Sequence, residues 1–209
     1  MLEIVEVFCH NSIKISGSKV IYIDPFKIEN DFHDADYIFS THTHYDHFSE
    51  EDIEKLLKKD TIIITPDSSR ELACDLTRDR ERVVIVEPDK EYDVKGVKFA
   101  TTYAYNKETL YHTKKENWVG YIIELDGVKY YIAGDTDNIK ELHNVECDVA
   151  FIPVGGKYTM GYEEAADLAN TIKAKIVVPT HYGSIVGTKE DAEKFANLVR
   201  DKEVKILIK

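Results

Sequence analysis

Seven consecutive residues, Thr41-His42-Thr43-His44-Tyr45-Asp46-His47, hold three imidazoles and a carboxylate. Neutral imidazole nitrogen and carboxylate oxygen suit zinc, manganese and iron. Tyr37-Ile38-Phe39 before the cluster reads as an apolar strand, and Ser49-Glu50-Glu51-Asp52 after it reads as a helix start. The cluster therefore occupies the turn leaving a strand, where loop side chains can converge on one point.

Two further signals share that context. Asp135 follows the apolar run Val128–Ala133 through Gly134, and His181 follows Lys175–Thr180 and precedes Gly183. Glycines beside them permit tight turns. A lone Asp or a lone strand-end His is weak evidence of a ligand. Three such signals at strand ends together point to one metal site.

The elements that must position these groups are legible from patterning. Glu3–Cys9, Ser12–Ser16 and Lys19–Ile23 are β-rich, with a turn at Ser16-Gly17-Ser18 and a stop at Asp24-Pro25. Ser49 caps a helix whose stripe is Ile53, Leu56 and Leu57. Thr61–Thr65 reads as a buried strand, and Ser68 to Glu71 as a capping box opening a helix that carries Leu72 and Leu76. Arg82–Val86, Tyr92–Val94 and Val97–Thr102 read as strands. Tyr103 to Asn117 is polar and long enough for a functional loop. Trp118–Leu125 and Val128–Ala133 make a hairpin around Asp126-Gly127. A brief helix is expected near Ile139–His143, then a strand Val149–Val154, a helix Glu163–Thr171, the strand ending at His181, a helix capped by Thr188 with Asp191 at its third position, and a closing strand Val204–Ile208. This order predicts two sheets packed face to face with helices outside, in a single domain spanning 1–209.

Composition bounds the function. The chain has 209 residues, 43% of them hydrophobic and 32% charged, with a net charge of -12. No apolar run reaches bilayer length. The first residues lack a basic region and cleavage site, so no signal peptide is expected. The acidic balance and missing basic face argue against a nucleic-acid partner. Three separated cysteines, at 9, 74 and 147, fit a reducing cytoplasm without a disulfide framework. The absence of glutamine, with abundant Lys and Glu, hints weakly at a thermophilic source. Nothing in the sequence decides against a homo-oligomer.

His42-x-His44-x-Asp46-His47, followed by Gly134-Asp135 and Thr180-His181, resembles the metallo-β-lactamase superfamily. Within the superfamily the chain is similar to the small metal-dependent hydrolases, such as the ascorbate-6-phosphate lactonases and N-acyl-phosphatidylethanolamine-type phospholipases D. The resemblance implies an α+β fold, the αββα sandwich. It implies one or two divalent ions, zinc first, with manganese or iron(II) as alternatives. His42 and His44 would serve a first metal position, Asp46, His47 and His181 a second, and Asp135 would bridge. His10 matches a histidine these relatives carry near the N-terminus.

One departure stands out: the superfamily's usual third histidine for the first position is replaced by Tyr103-Ala104-Tyr105-Asn106. His112 is the nearest imidazole, and the sequence leaves it either as a replacement ligand or facing solvent. The chemistry implied is hydroxide generated at the metal attacking a small ester, lactone or phosphoester. Asp46 would orient the water or take its proton, and His10 or Tyr158 would stabilise the oxyanion. Thr41, Thr180 and Tyr182 would fix imidazole tautomers. Tyr105, Asn106, His112, Lys157 and Tyr158 are the candidate substrate contacts. The alternatives are a phosphodiesterase or nuclease, and a metal-binding protein with a degenerate first site and no hydrolytic activity.

Overall fold

The computed structural model describes residues 1–208, which form two compact units, Met1–Glu87 and one beginning at Pro88. Each unit is built on one mixed sheet, and in both sheets spatial order follows chain order.

The first unit runs β1 (Val5–Cys9), β2 (Ser12–Ser16), β3 (Val20–Ile23), β4 (Tyr37–Phe39), α1 (Glu50–Glu54), β5 (Ile62–Pro66), α2 (Arg70–Thr77) and β6 (Val83–Val86). β1 to β3 are antiparallel neighbours, and β3 to β6 pair in parallel. Parallel pairing requires crossovers, and α1 and α2 supply two of them. Ile53 and Leu56 from the α1 segment and Ala73 from α2 pack with Ile38 and Ile63 of the sheet into a buried cluster. Each such isoleucine or leucine contributes roughly 1.5–3 kcal/mol on burial.

The second unit runs β7 (Glu91–Val94), β8 (Val97–Tyr103), β9 (Val119–Leu125), β10 (Val128–Ile132), β11 (Val149–Pro153), α3 (Tyr162–Thr171), β12 (Ile176–Thr180), α4 (Lys189–Leu198) and β13 (Glu203–Val204). It repeats the plan, with β7 to β10 antiparallel and β10 to β13 parallel. The Asp126-Gly127 turn closes the β9–β10 hairpin with both residues at positive φ, 52° and 76°, as a two-residue type I′ turn demands.

This topology positions the chemistry. β1 lies antiparallel to β2, which is antiparallel to β3, so β1 and β3 run the same way; the same holds for β8 and β10. Within each sheet the candidate ligands therefore follow the carboxyl ends of strands that share one direction. In the first sheet these are β1, β3 and β4, and in the second β8, β10 and β12.

Local expectations fail where a cap or stripe was over-read. Ser68 and Glu71 form no capping box: Asp67–Ser69 winds as a 3-10 turn, the α2 cap moves to Ser69, and Glu71 binds Arg80 at 3.3 Å. α1 ends at Glu54, so Leu56 and Leu57 pack from the following turn. The closing strand is only Glu203–Val204, with Lys205 N–H donating to the Val177 carbonyl beyond it. The expected helix near Ile139–His143 is a 3-10 turn over Lys140–Leu142. The Ser49 cap and the Thr188–Asp191 capping box form as expected.

Candidate metal centre

In the first unit, His10 follows β1, Asp24 follows β3, and the His42–His47 turn follows β4. The backbone of the turn is fixed from below. Ser40 Oγ donates to the carbonyls of His42 (2.8 Å) and His47 (3.2 Å), and Thr41 N–H donates to Asp24 Oδ1 at 2.7 Å. Asp46 Oδ2 lies 3.2 Å from His10 Nε2 and 3.6 Å from His47 Nε2. His42 Nε2 approaches His44 Nδ1 at 3.0 Å, and the His42 ring lies over His47 with centroids 4.0 Å apart. Donor atoms around a tetrahedral ion with zinc-like bond lengths stand about 3.3 Å apart, so these spacings fit a metal.

The sequence reading missed Asp24, taking it for a strand terminator. The side chain is fully buried, with Oδ2 2.7 Å from His47 Nδ1, and it accepts from Asn11 Nδ2 (2.6 Å) and Thr41 Oγ1 (2.8 Å). A carboxylate on Nδ1 keeps the proton there and leaves the Nε2 lone pair available to a metal. Thr41 does the same for His42. Its hydroxyl proton goes to Asp24, so the oxygen accepts from His42 Nδ1 at 3.0 Å. An Asp directly after an apolar strand, with the sheet's ligands at the same edge, was the available signal.

In the second unit, Asp135 follows β10, His181 follows β12, and His112 sits in the loop after β8. The carboxylate of Asp135 faces one imidazole with each oxygen: His181 Nε2 lies 3.1 Å from Oδ1, and His112 Nε2 lies 3.4 Å from Oδ2. All three side chains are buried. Gly155 lets the end of β11 approach His181 closely, because a Cβ there would stand 2.6 Å from its carbonyl oxygen and 2.9 Å from Nδ1.

Four of these residues hold left-handed backbone without being glycine: His10 (φ 57°), Asp24 (46°), His112 (54°) and His181 (59°). Each costs roughly 1–2 kcal/mol relative to right-handed geometry. Strain of this kind concentrates where a side chain must be aimed.

Other expectations divide. Tyr105 turns its hydroxyl to Glu141 (3.1 and 3.2 Å) at the surface. Burial and that carboxylate raise its pKa above the ordinary phenol value. Asn106 clamps the loop, since its N–H donates to the His112 carbonyl at 2.8 Å and its side-chain amide to the Tyr158 carbonyl at 2.7 Å. Lys157 is exposed and lies over the Tyr158 ring at 5.0 Å. Neither Thr180 nor Tyr182 fixes a tautomer: Thr180 Oγ1 has no hydrogen-bond partner, and the Tyr182 hydroxyl donates to the Ile208 carbonyl at 3.3 Å.

Residues 5–181 match the model of the Beta-lactamase superfamily domain. The chain is 33% identical to a UPF0173 metal-dependent hydrolase of Thermococcus onnurineus, over 96% of this chain and 93% of that one. A crystal structure from Parabacteroides distasonis superposes with a TM-score of 0.81 at 27% identity, over 98% of this chain and 93% of that one. A metallo hydrolase of the hyperthermophilic archaeon Ignicoccus hospitalis shares the fold at 22% identity, with a TM-score of 0.76 over 98% and 94% of the two chains. The two mixed sheets with their helices are thus the α+β fold of the metallo-β-lactamase type. Matched along most of its length by the superfamily model, and a third identical to a relative it covers almost completely, the chain belongs to the beta-lactamase superfamily and, within it, to the UPF0173 metal-dependent hydrolases.

Proposed function

We propose that this chain is a single-domain cytoplasmic hydrolase of a small ester, lactone or phosphoester, working with one or two divalent ions. The observation that carries the reading is Asp135, whose two oxygens each face a different imidazole. A carboxylate so flanked suits a bridging role. His42, His44 and His112 are proposed for the first position, and Asp46, His47 and His181 for the second. His112 then supplies the imidazole that the sequence lacks near Tyr105, which weakens the reading of an inactive metal-binding protein. Zinc is the proposed ion because imidazole and carboxylate donors at these spacings suit it; manganese and iron(II) share the donor set. The cytoplasmic assignment draws on the three cysteines, all free. Among the described residues no helix is long and apolar enough to cross a membrane. The acidic charge favours a small substrate over nucleic acid.

When bound, the metal supplies acidified water and polarises the oxygen of the scissile group. The chain's own residues do the rest. Asp24 holds the Nδ1 proton of His47 and Thr41 that of His42, so both Nε2 lone pairs stay available. The Asp46 carboxylate would orient the attacking water or take a proton from it. His10, with Nε2 3.2 Å from Asp46 Oδ2, positions that carboxylate.

Metal analysis joined to a panel of ester, lactone and phosphoester substrates tests the reading. His47→Ala and His181→Ala should each lose metal relative to the parent chain and turn over no substrate. Unchanged metal content in both variants would sink the ligand assignment. Full metal loading without turnover of any panel member would leave a metal-binding protein.

A further inference from the structure

We propose that Tyr158, Tyr111 and Leu110 form an apolar wall that selects substrates carrying an aliphatic or aryl group beside the scissile bond. The proposal rests on the hydrolase reading and names its substrate class.

The wall begins at His112. The Tyr158 ring meets the His112 ring edge-on at 6.5 Å, and the Tyr111 ring meets Tyr158 edge-on at 5.9 Å. Trp118 closes the inner side, its ring 5.2 Å from His112. A continuous aromatic path thus leads outward from an imidazole that faces Asp135. At its outer end Tyr111 is 64% exposed and Leu110 94% exposed.

The exposed tip belongs to a fixed loop. Asn106 N–H donates to the His112 carbonyl and closes the base, and the Asn106 amide ties that base to the Tyr158 carbonyl. At the tip, Thr109 Oγ1 donates to the Tyr111 carbonyl at 2.6 Å and accepts from Tyr111 N–H at 3.3 Å. A leucine and a tyrosine held out in water beside a buried polar centre gain by covering an apolar group of a ligand. Asn106 Nδ2 is engaged with the Tyr158 carbonyl and Thr109 Oγ1 with the Tyr111 carbonyl, so these two donors stay within the loop, and the ring faces and the leucine side chain supply contact area.

Acetate, butyrate, hexanoate and octanoate, titrated calorimetrically into the zinc-supplemented protein, test the wall with product-like probes. Affinity should tighten about fourfold per added methylene until the chain outgrows the wall. In Tyr111→Ser and Leu110→Ser, both changes at exposed positions, the tightening should fall below about twofold per methylene, with acetate affinity unchanged. Equal affinities across the series in the parent chain, no binding of any member, or an unchanged slope in both variants would overturn the proposal. Ester turnover by the same preparations separates the two readings. A chain-length slope without turnover keeps the wall and removes the hydrolase. Turnover without a slope does the reverse.

Discussion

Asp24 Oδ2 stands 2.7 Å from His47 Nδ1, and both side chains are wholly enclosed. Three further donors, Asn11 Nδ2, Thr41 Oγ1 and Thr41 N–H, also end on this carboxylate. The aspartate touches no candidate ligand atom, yet it sets which nitrogen of His47 carries the proton. Asp24→Asn should weaken metal binding by about 10- to 100-fold while leaving the fold intact, as outer partners of metal-bound histidines do. Competition with a chelator measures the affinity, and circular dichroism checks the fold. Unchanged affinity would remove Asp24 from the centre.

His112 and Tyr105 lie in the same loop and make opposite predictions. His112→Ala should lose metal from one of two positions, because its Nε2 faces Asp135 Oδ2. Tyr105→Phe should leave metal content untouched, since only the Glu141 contact is lost. That contact is exposed, so the stability change should stay within about 0.5 kcal/mol. Metal content per chain for the two variants decides the assignment.

The candidate ligands of the His42–His47 turn, Asp135 and His181 stand out in the sequence because each is a chemically loaded residue directly after an apolar strand. The strands themselves were legible from period-two and all-apolar runs, and the Asp126-Gly127 turn from its need for positive φ. Asp24 was hidden because Asp-Pro is also an ordinary strand stop, and its partners Asn11, Thr41 and His47 come from three different segments. His112 was ambiguous because it sits deep in a polar loop. The Asn106–His112 closure folds the loop back, and His112 Nε2 then lies 3.4 Å from Asp135 Oδ2. Ser68 to Glu71 matched a cap by spacing alone, which cannot register the competing Arg80.

Gly155 tests how tightly His181 is held. Gly155→Ala places a methyl group within 3 Å of two His181 atoms, one of them backbone, so the histidine must move. Metal affinity and turnover should both fall at least tenfold, since a displacement of this order is costly at a catalytic centre. Gly161→Ala is the control. Its nearest neighbour is Gly156 Cα at 4.0 Å, so nothing need move, and it should cost no more than the roughly 1 kcal/mol of putting alanine at a helix N-cap. Equal effects of the two substitutions would show that His181 tolerates displacement.

Chelation should lower thermal stability reversibly, because an ion that binds only the folded chain stabilises it. At a hundredfold excess over Kd the contribution is about 2.7 kcal/mol. Tm should drop on adding chelator and recover with zinc. The shift should shrink in His47→Ala. An identical Tm with and without chelator would contradict a metal centre built from folded-state ligands.

Acid should weaken the first unit through Asp52. Burial by itself raises this carboxyl, but the Ser49 hydroxyl, Lys55 and the backbone N–H groups of Ile28 and Lys27 outweigh it and hold the pKa below the ordinary aspartate value. The contacts are 2.8 Å to Lys27 N, 2.9 Å to Ile28 N and 3.1 Å to Lys55 Nζ. A pKa lowered by folding contributes stability above the unfolded value, and that stability disappears as pH falls through the folded value. The window therefore lies below about pH 4. Asp52→Asn keeps the shape but removes the charge. It should cost about 1–3 kcal/mol at neutral pH and flatten the fall in stability below pH 4. Urea unfolding of the chelator-treated protein across pH 3 to 7 isolates this effect from metal loss. Parallel pH profiles for the parent chain and the variant would show that the Lys27–Ile28 turn does not depend on the Asp52 charge.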